Sequence, residues 1–155
     1  MKNLGFLAMS LTVLPLIACV PPGVEDGTSP DDATEASLTS HQTLGAVQIM
    51  RLARGAGLGC GQPLIVATAL AFAESSGRTW ITHLNHNGST DAGLWQINSV
   101  HGLSVSSLLV PATNADAMMD VSSNGRHFSP WSTYNNGAYL EHMDEARTAY
   151  GTVCR

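Results

Sequence analysis

Leu64-Ile65-Val66-Ala67-Thr68-Ala69-Leu70-Ala71-Phe72-Ala73-Glu74-Ser75 is the stretch that decides the fold. From Leu64 to Ala73 nearly every residue is apolar or small, which predicts a helix buried on most of its sides. Pro63 suits the first turn of that helix, where a missing N–H does no harm. Glu74-Ser75-Ser76-Gly77 ends it. A carboxyl is thus delivered at the end of an uncharged run. Against apolar walls its charged form loses hydration, so its pKa is expected to rise. That is the condition for a general acid that stays protonated near neutral pH. The plainer alternative is a helix-end glutamate that points to solvent or accepts from a backbone N–H.

Working outward, Thr43 to Ala56 carries Leu44, Val47, Met50 and Ala53 at near-helical spacing, and Gly55, Gly57, Gly59 and Gly61 break it. Residues 78–100 read as irregular or as a short β-ribbon around the polar turn Asn85-His86-Asn87-Gly88. Two further helices are expected, at about 111–122, stopped by Asn124-Gly125, and at about 137–150. In the last, Tyr139, Met143, Ala146 and Tyr150 fall at helical intervals. The expected fold class is therefore mainly α, with one irregular or β-ribbon segment.

The chain has 155 residues and 44% hydrophobic content, which suits one compact domain with a real core. Its net charge of −5 is unevenly spread. Residues 19–40 hold five acids (Glu25, Asp26, Asp31, Asp32, Glu35) and no Lys or Arg, whereas from residue 41 onward seven acids face six arginines. There is no basic stripe to neutralise phosphates, which argues against nucleic acid as a partner.

Residues 1–18 read as a targeting segment, with Lys2 at its start and an apolar run from Leu4 to Ala18 interrupted by Pro15. The run is shorter than the roughly 20 apolar residues a spanning helix needs. Its end, Leu16-Ile17-Ala18-Cys19, resembles the lipobox of bacterial lipoproteins. That resemblance implies lipidation of Cys19 after cleavage and a membrane anchor; an ordinary signal peptide with an incidental cysteine is the alternative. Val20 stands where an Asp would resemble an inner-membrane retention signal, so an outer-membrane location is favoured. Residues 19–40 lack apolar periodicity and are expected to form a flexible acidic tether, with the folded domain spanning 41–155. In an oxidising compartment Cys60 and Cys154 remain as a pair for a structural disulfide.

The chemistry rests on a constellation. Glu74-Ser75 is followed by Gly93-Leu94-Trp95-Gln96-Ile97-Asn98 and then by Tyr134-Asn135-Asn136-Gly137. In that order and at those distances, these resemble the three motifs of the lysozyme-like lytic transglycosylases, with Thr133 standing where the third motif has an Ala. Phe128-Ser129-Pro130-Trp131 and Asn114 also look like the small secreted and phage-associated members, and the resemblance covers about residues 43–150. It implies an α+β lysozyme-like fold and cleavage of peptidoglycan glycan strands by a monomer, without cofactor or metal. Glu74 matches the catalytic Glu. Gln96 and Asn98 would hydrogen-bond the sugars, Tyr134 would orient the carboxyl or the acetamido group, and Asn135 would support the same wall. Ser75 is expected to bond backbone near the helix end. Trp95 could stack on a sugar or fill the core, and both readings stand.

The family resembled works with one carboxylate. The Glu protonates the leaving oxygen, the substrate's N-acetyl group assists, and the 6-hydroxyl closes a 1,6-anhydro product. Conventional glycosidases use two carboxylates. Asp91 is the only other acid between Glu74 and Asp116. Facing the cleft across from Glu74 it would position water and make the enzyme a hydrolase, a muramidase; as a turn residue it would bond local backbone instead. A fold kept only for glycan binding is a further alternative. His83, His86 and His101 invite a zinc site, but a His-x-x-His in an irregular loop lacks the usual helical geometry. A calcium loop aligned on Gly88 puts His83 and Leu94 where carboxylates are required, and fails.

Overall fold

The structure is a computed structural model that describes residues 41–155. The expected targeting segment 1–18, lipidation site Cys19 and tether 19–40 lie outside the described residues. Helix α2 (Gln62–Ser75) is the central element and takes Pro63 in its first turn. It buries Leu64, Val66 to Ala71 and Ser75, and it packs against α1 (Ala46–Gly55) and α6 (Met143–Val153). Its largely apolar sequence fits a helix that neighbours cover from more than one side. The helix stops at Ser76, which turns left-handed at φ 54°. At the following Gly77 (φ +75°) a Cβ would lie 2.4 Å from the Leu44 carbonyl oxygen, so the chain leaves α2 hard against the entry to α1.

Helix α1 starts later than its apolar spacing suggests. Leu44 N–H donates to Gly77 O (2.8 Å) and Thr43 pairs with Arg78, which holds that segment extended up to Gly45. The Gln48 side chain then accepts from Gly45 N–H at 3.0 Å and closes the first turn. Helix α4 (Pro111–Val121) lies close to where its sequence places it and packs on α1. The helix expected at 137–150 is displaced. Gly137 sits at φ 82°, so the chain resumes as a 3-10 turn over Ala138–His142 before α6 runs to Val153.

The ribbon segment is a three-stranded antiparallel sheet, β1 (Thr82–Leu84), β2 (Thr90–Ala92) and β3 (Ile97–Asn98). His83 pairs with Asp91, and Asp91 with Asn98, so the three lie in one row across the sheet. Two short helices were not foreseen, α3 (Val105–Leu108) and α5 (Ser132–Asn135). At four residues each, they present no periodic apolar face for a sequence to reveal. The fold is mainly helical with one small sheet, as the apolar patterning suggests.

Cys60 and Cys154 are bonded, with Cα atoms 5.9 Å apart across a separation of 94 residues. The bond ties the approach to α2 to the residue following α6. Closing a loop of that length is worth about 4–5 kcal/mol in the chain-entropy model. Paired replacement Cys60→Ser/Cys154→Ser should lower stability by about that amount, read from urea unfolding under oxidising conditions.

Candidate active site

Glu74 emerges from the last turn of α2 onto the floor of a cleft of about 640 Å³. One side of the cleft is the sheet, with Thr82, His83, Asn85, Asp91 and Asn98; another is the loop Pro130-Trp131-Ser132. The helix leaves Glu74 half-buried. Burial pushes its pKa above the ordinary carboxylate value, a hydrogen bond from Thr133 pulls it back, and the negative charge of Asp91 pushes it up again. Burial is the largest of the three, so the net direction is upward. Ser75, next in sequence, is buried and donates to Ala71 O at 3.0 Å, a helix-end bond.

Asp91 is a strand residue and not a turn residue. Its carboxylate takes no local backbone N–H. Asn85 Nδ2 donates to Oδ2 at 2.9 Å and Asn98 Nδ2 to Oδ1 at 2.6 Å. Ser89 Oγ accepts from both amides, at 3.3 Å from Asn85 and 3.0 Å from Asn98. Three strand and turn residues thus aim one carboxylate along the cleft wall, close enough for its charge to act on Glu74. Asn98 lines the cleft, with its amide nitrogen engaged by Asp91 and Ser89 and its Oδ1 accepting from Val100 N–H at 2.9 Å.

The sheet is locked to the helices through Asn114 of α4, which is fully buried. Its Oδ1 accepts from Trp95 N–H at 2.8 Å, and its Nδ2 donates to Ala92 O and Leu108 O, both at 2.9 Å. Gly93 passes over this amide at φ +80°, and a Cβ there would lie 2.3 Å from Leu108 O and 2.5 Å from Asn114 Nδ2. Gln96 lines the cleft in a left-handed conformation (φ 46°). Its Nε2 donates to Gly93 O at 2.8 Å and Ile81 O at 3.0 Å, so the amide staples the turn it stands on. Trp95 does not reach the cleft. Its ring has 0% exposure and its Nε1 donates to Ala67 O at 2.8 Å, so the sugar-stacking role is excluded in favour of the core role.

The third motif is hung from the second. Trp131 Nε1 donates to Trp95 O at 2.7 Å, fixing the loop that leads into α5. Tyr134 is half-buried between Phe128, 5.9 Å away, and Tyr139, stacked at 4.9 Å. Neither Tyr134 nor Asn135 lines the cleft; Asn135 is exposed and donates to Ser129 O at 2.8 Å. The side chain that meets the Glu74 carboxyl is Thr133, whose hydroxyl donates to Oε1. Of the residues at the third motif, Thr133 and not Tyr134 is the one bonded to this carboxyl. The signal for it was the departure from the third motif, where Thr133 stands in place of Ala. In the sequence Asn85 shows only as part of a turn, and the sheet register is what brings its amide to Asp91.

A family model described as "Lysozyme like domain" matches residues 50–133. The chain belongs to this lysozyme-like family. The family brings peptidoglycan glycan cleavage as a general activity and the cell envelope as its setting. The matched span contains Glu74, Asp91, Gln96, Asn98, Asn114 and Thr133, and it ends one residue before Tyr134. No curated protein matches the chain. Among the described residues, no group of three or more His, Cys, Asp or Glu is arranged to hold a metal ion, and no helix is long and apolar enough to cross a membrane. His83 and His101 of the lysozyme-like domain border the same cleft from β1 and from the 3-10 turn after β3.

The raised pKa of Glu74 has a consequence for folding. A carboxyl that binds its proton more tightly in the folded chain adds stability below its unfolded pKa, and that stability is lost as pH rises through the folded value. Glu74→Gln removes this titration. Urea midpoints should fall less for the variant than for wild type between acidic and neutral pH, and at neutral pH the variant should be at least as stable.

Proposed function

We propose that this lysozyme-like domain cleaves the β-1,4 bond between N-acetylmuramic acid and N-acetylglucosamine, with Glu74 as the general acid. The observation that carries this reading is a half-buried carboxyl with a raised pKa at the floor of a cleft bordered by amides and a second carboxylate. Glu74 gives its proton to the glycosidic oxygen as the bond from the anomeric carbon breaks. Positive charge then develops at that carbon.

Two fates follow for this carbon, and different observations support each. The position of Asp91 supports hydrolysis, because a carboxylate held by Asn85 and Asn98 on the cleft wall stabilises the charge or bonds to the carbon. Water then adds, its proton returns to Glu74, and a reducing end is left. The three-motif resemblance supports the second fate, in which the sugar's own 6-hydroxyl adds and loses its proton to Glu74, giving the 1,6-anhydro product of a lytic transglycosylase. We take the transglycosylase as the first reading, on the three motifs together, and hydrolysis through Asp91 as the second, on the place of that carboxylate in the cleft.

Zymography on peptidoglycan gels with mass spectrometry of the released fragments tests both steps. Glu74→Gln should lose activity by about 10²–10⁴-fold, the range of a general acid. Equal clearing by wild type and Glu74→Gln, or clearing by neither, sinks the proposal. Reducing muramic ends, with activity strongly reduced in Asp91→Asn, support hydrolysis. Fragments lighter by one water, with Asp91→Asn still active, support the transglycosylase.

The stretch Leu16-Ile17-Ala18-Cys19 supports attachment through a lipid on Cys19, with the acidic residues that follow acting as a tether. An outer-membrane location remains the favoured placement within the envelope. Cys19→Ser should move the protein from the membrane fraction to the soluble fraction; a variant that stays wholly membrane-bound counts against the anchor.

A further inference from the structure

Thr133 makes a contact that the glycosidase reading does not use. Its hydroxyl donates to Oε1 of Glu74, from α5 across to α2, 59 residues away in sequence. An ionised carboxylate can only accept such a bond, so the contact favours the charged form and draws the pKa of Glu74 down against burial and Asp91. The hydroxyl itself is held in place. Trp131 Nε1 bonds Trp95 O at 2.7 Å, Asn135 N–H bonds Trp131 O at 3.2 Å, and the Tyr134 ring lies between Phe128 and Tyr139. A four-residue helix has little rigidity of its own, and these anchors supply it. The hydroxyl is engaged with the Glu74 carboxyl, so Thr133 acts through that group.

We propose that Thr133 is a positioning residue for the acid step: by occupying Oε1 it confines the transferable proton of Glu74 to Oε2 and stabilises the carboxylate left after transfer. This inference rests on the glycosidase reading above. The bonds balance simply. Before transfer Oε2 carries the proton and Oε1 accepts from the hydroxyl. Afterwards both oxygens share one negative charge, and the hydroxyl–Oε1 bond becomes a charge-assisted one, which is stronger. The interaction therefore grows along the reaction and lowers the barrier instead of only tightening binding. The hydroxyl loses no proton itself.

The closing experiment compares Thr133→Ala, Thr133→Val and Thr133→Ser with wild type. The Ala variant carries the residue of the resembling motif and needs no new space. In Thr133→Ala and Thr133→Val, kcat should fall about tenfold, as for loss of one hydrogen bond to a charged group, with KM little changed. The alkaline limb of the pH–rate profile should move to higher pH, and carbon-13 NMR titration of the Glu74 carboxyl should show the same upward shift. Thr133→Ser should restore all three. An active wild type whose Ala and Val variants keep both the limb and the titration overturns the Thr133 role alone. A loss of rate in Ala and Val that Ser does not restore also overturns it, because packing and not the hydroxyl is then at work. A wild type that cleaves no glycan overturns the glycosidase reading, and the Thr133 role with it.

Discussion

The Asn114 amide is the interaction on which the rest of the site depends. One side chain on α4 closes three hydrogen bonds to backbone of three separate stretches: the end of β2, the turn that follows it, and the end of α3. It is fully buried, so water cannot replace any partner that is lost. Gly93 must stay without a side chain for the backbone to come this close. From that point the order of the site propagates outward. Trp95, fixed through its N–H, reaches α2 by its indole, and its carbonyl takes the indole of Trp131, from which α5 hangs. Three segments distant in sequence are thus held in register by one amide and two tryptophans.

That scaffold sets opposing forces on one carboxyl. The apolar helix α2 carries Glu74 into a half-buried place, where burial and the charge of Asp91 favour the protonated form. Thr133 works the other way. An acid that is too weakly ionised will not release its proton, and one that is too strongly ionised has none to release. The balance is reached with groups from three elements, α2, β2 and α5, which meet only when the fold is complete.

How much of this is legible in the sequence depends on the kind of interaction. Helix α2 is legible because a ten-residue apolar run has few other uses, and Glu74 stands out at its end. Cys60 and Cys154 are legible as a pair through simple counting. Gln96 and Asn98 are legible as cleft residues by motif, but not in the work their amides do, because that work is bonding to Gly93, Ile81, Asp91 and Ser89. Trp95 was open between two roles, since an aromatic side chain carries no sign of which way it faces. Asp91 stays open in the sequence between cleft and turn because its partners, Asn85 and Asn98, are brought beside it by sheet register, which separations of six and seven residues do not display. Thr133 is legible only as a departure from the third motif, because its bond to Glu74 spans 59 residues and no local spacing displays it.

The cleft has one further property, set by what lines it. Glu74 and Asp91 are its acids, His83 and His101 its imidazoles, and neither Lys nor Arg is among its lining residues. Residues 41–155 are close to electroneutral, with seven acids against six arginines. Such a surface exerts little long-range pull on an anionic polymer, so encounter with the wall is governed by diffusion and local concentration and not by steering. The catalytic surface of residues 41–155 accordingly adds little that salt could screen, and what salt-dependence the protein has is left to the acidic stretch at 19–40.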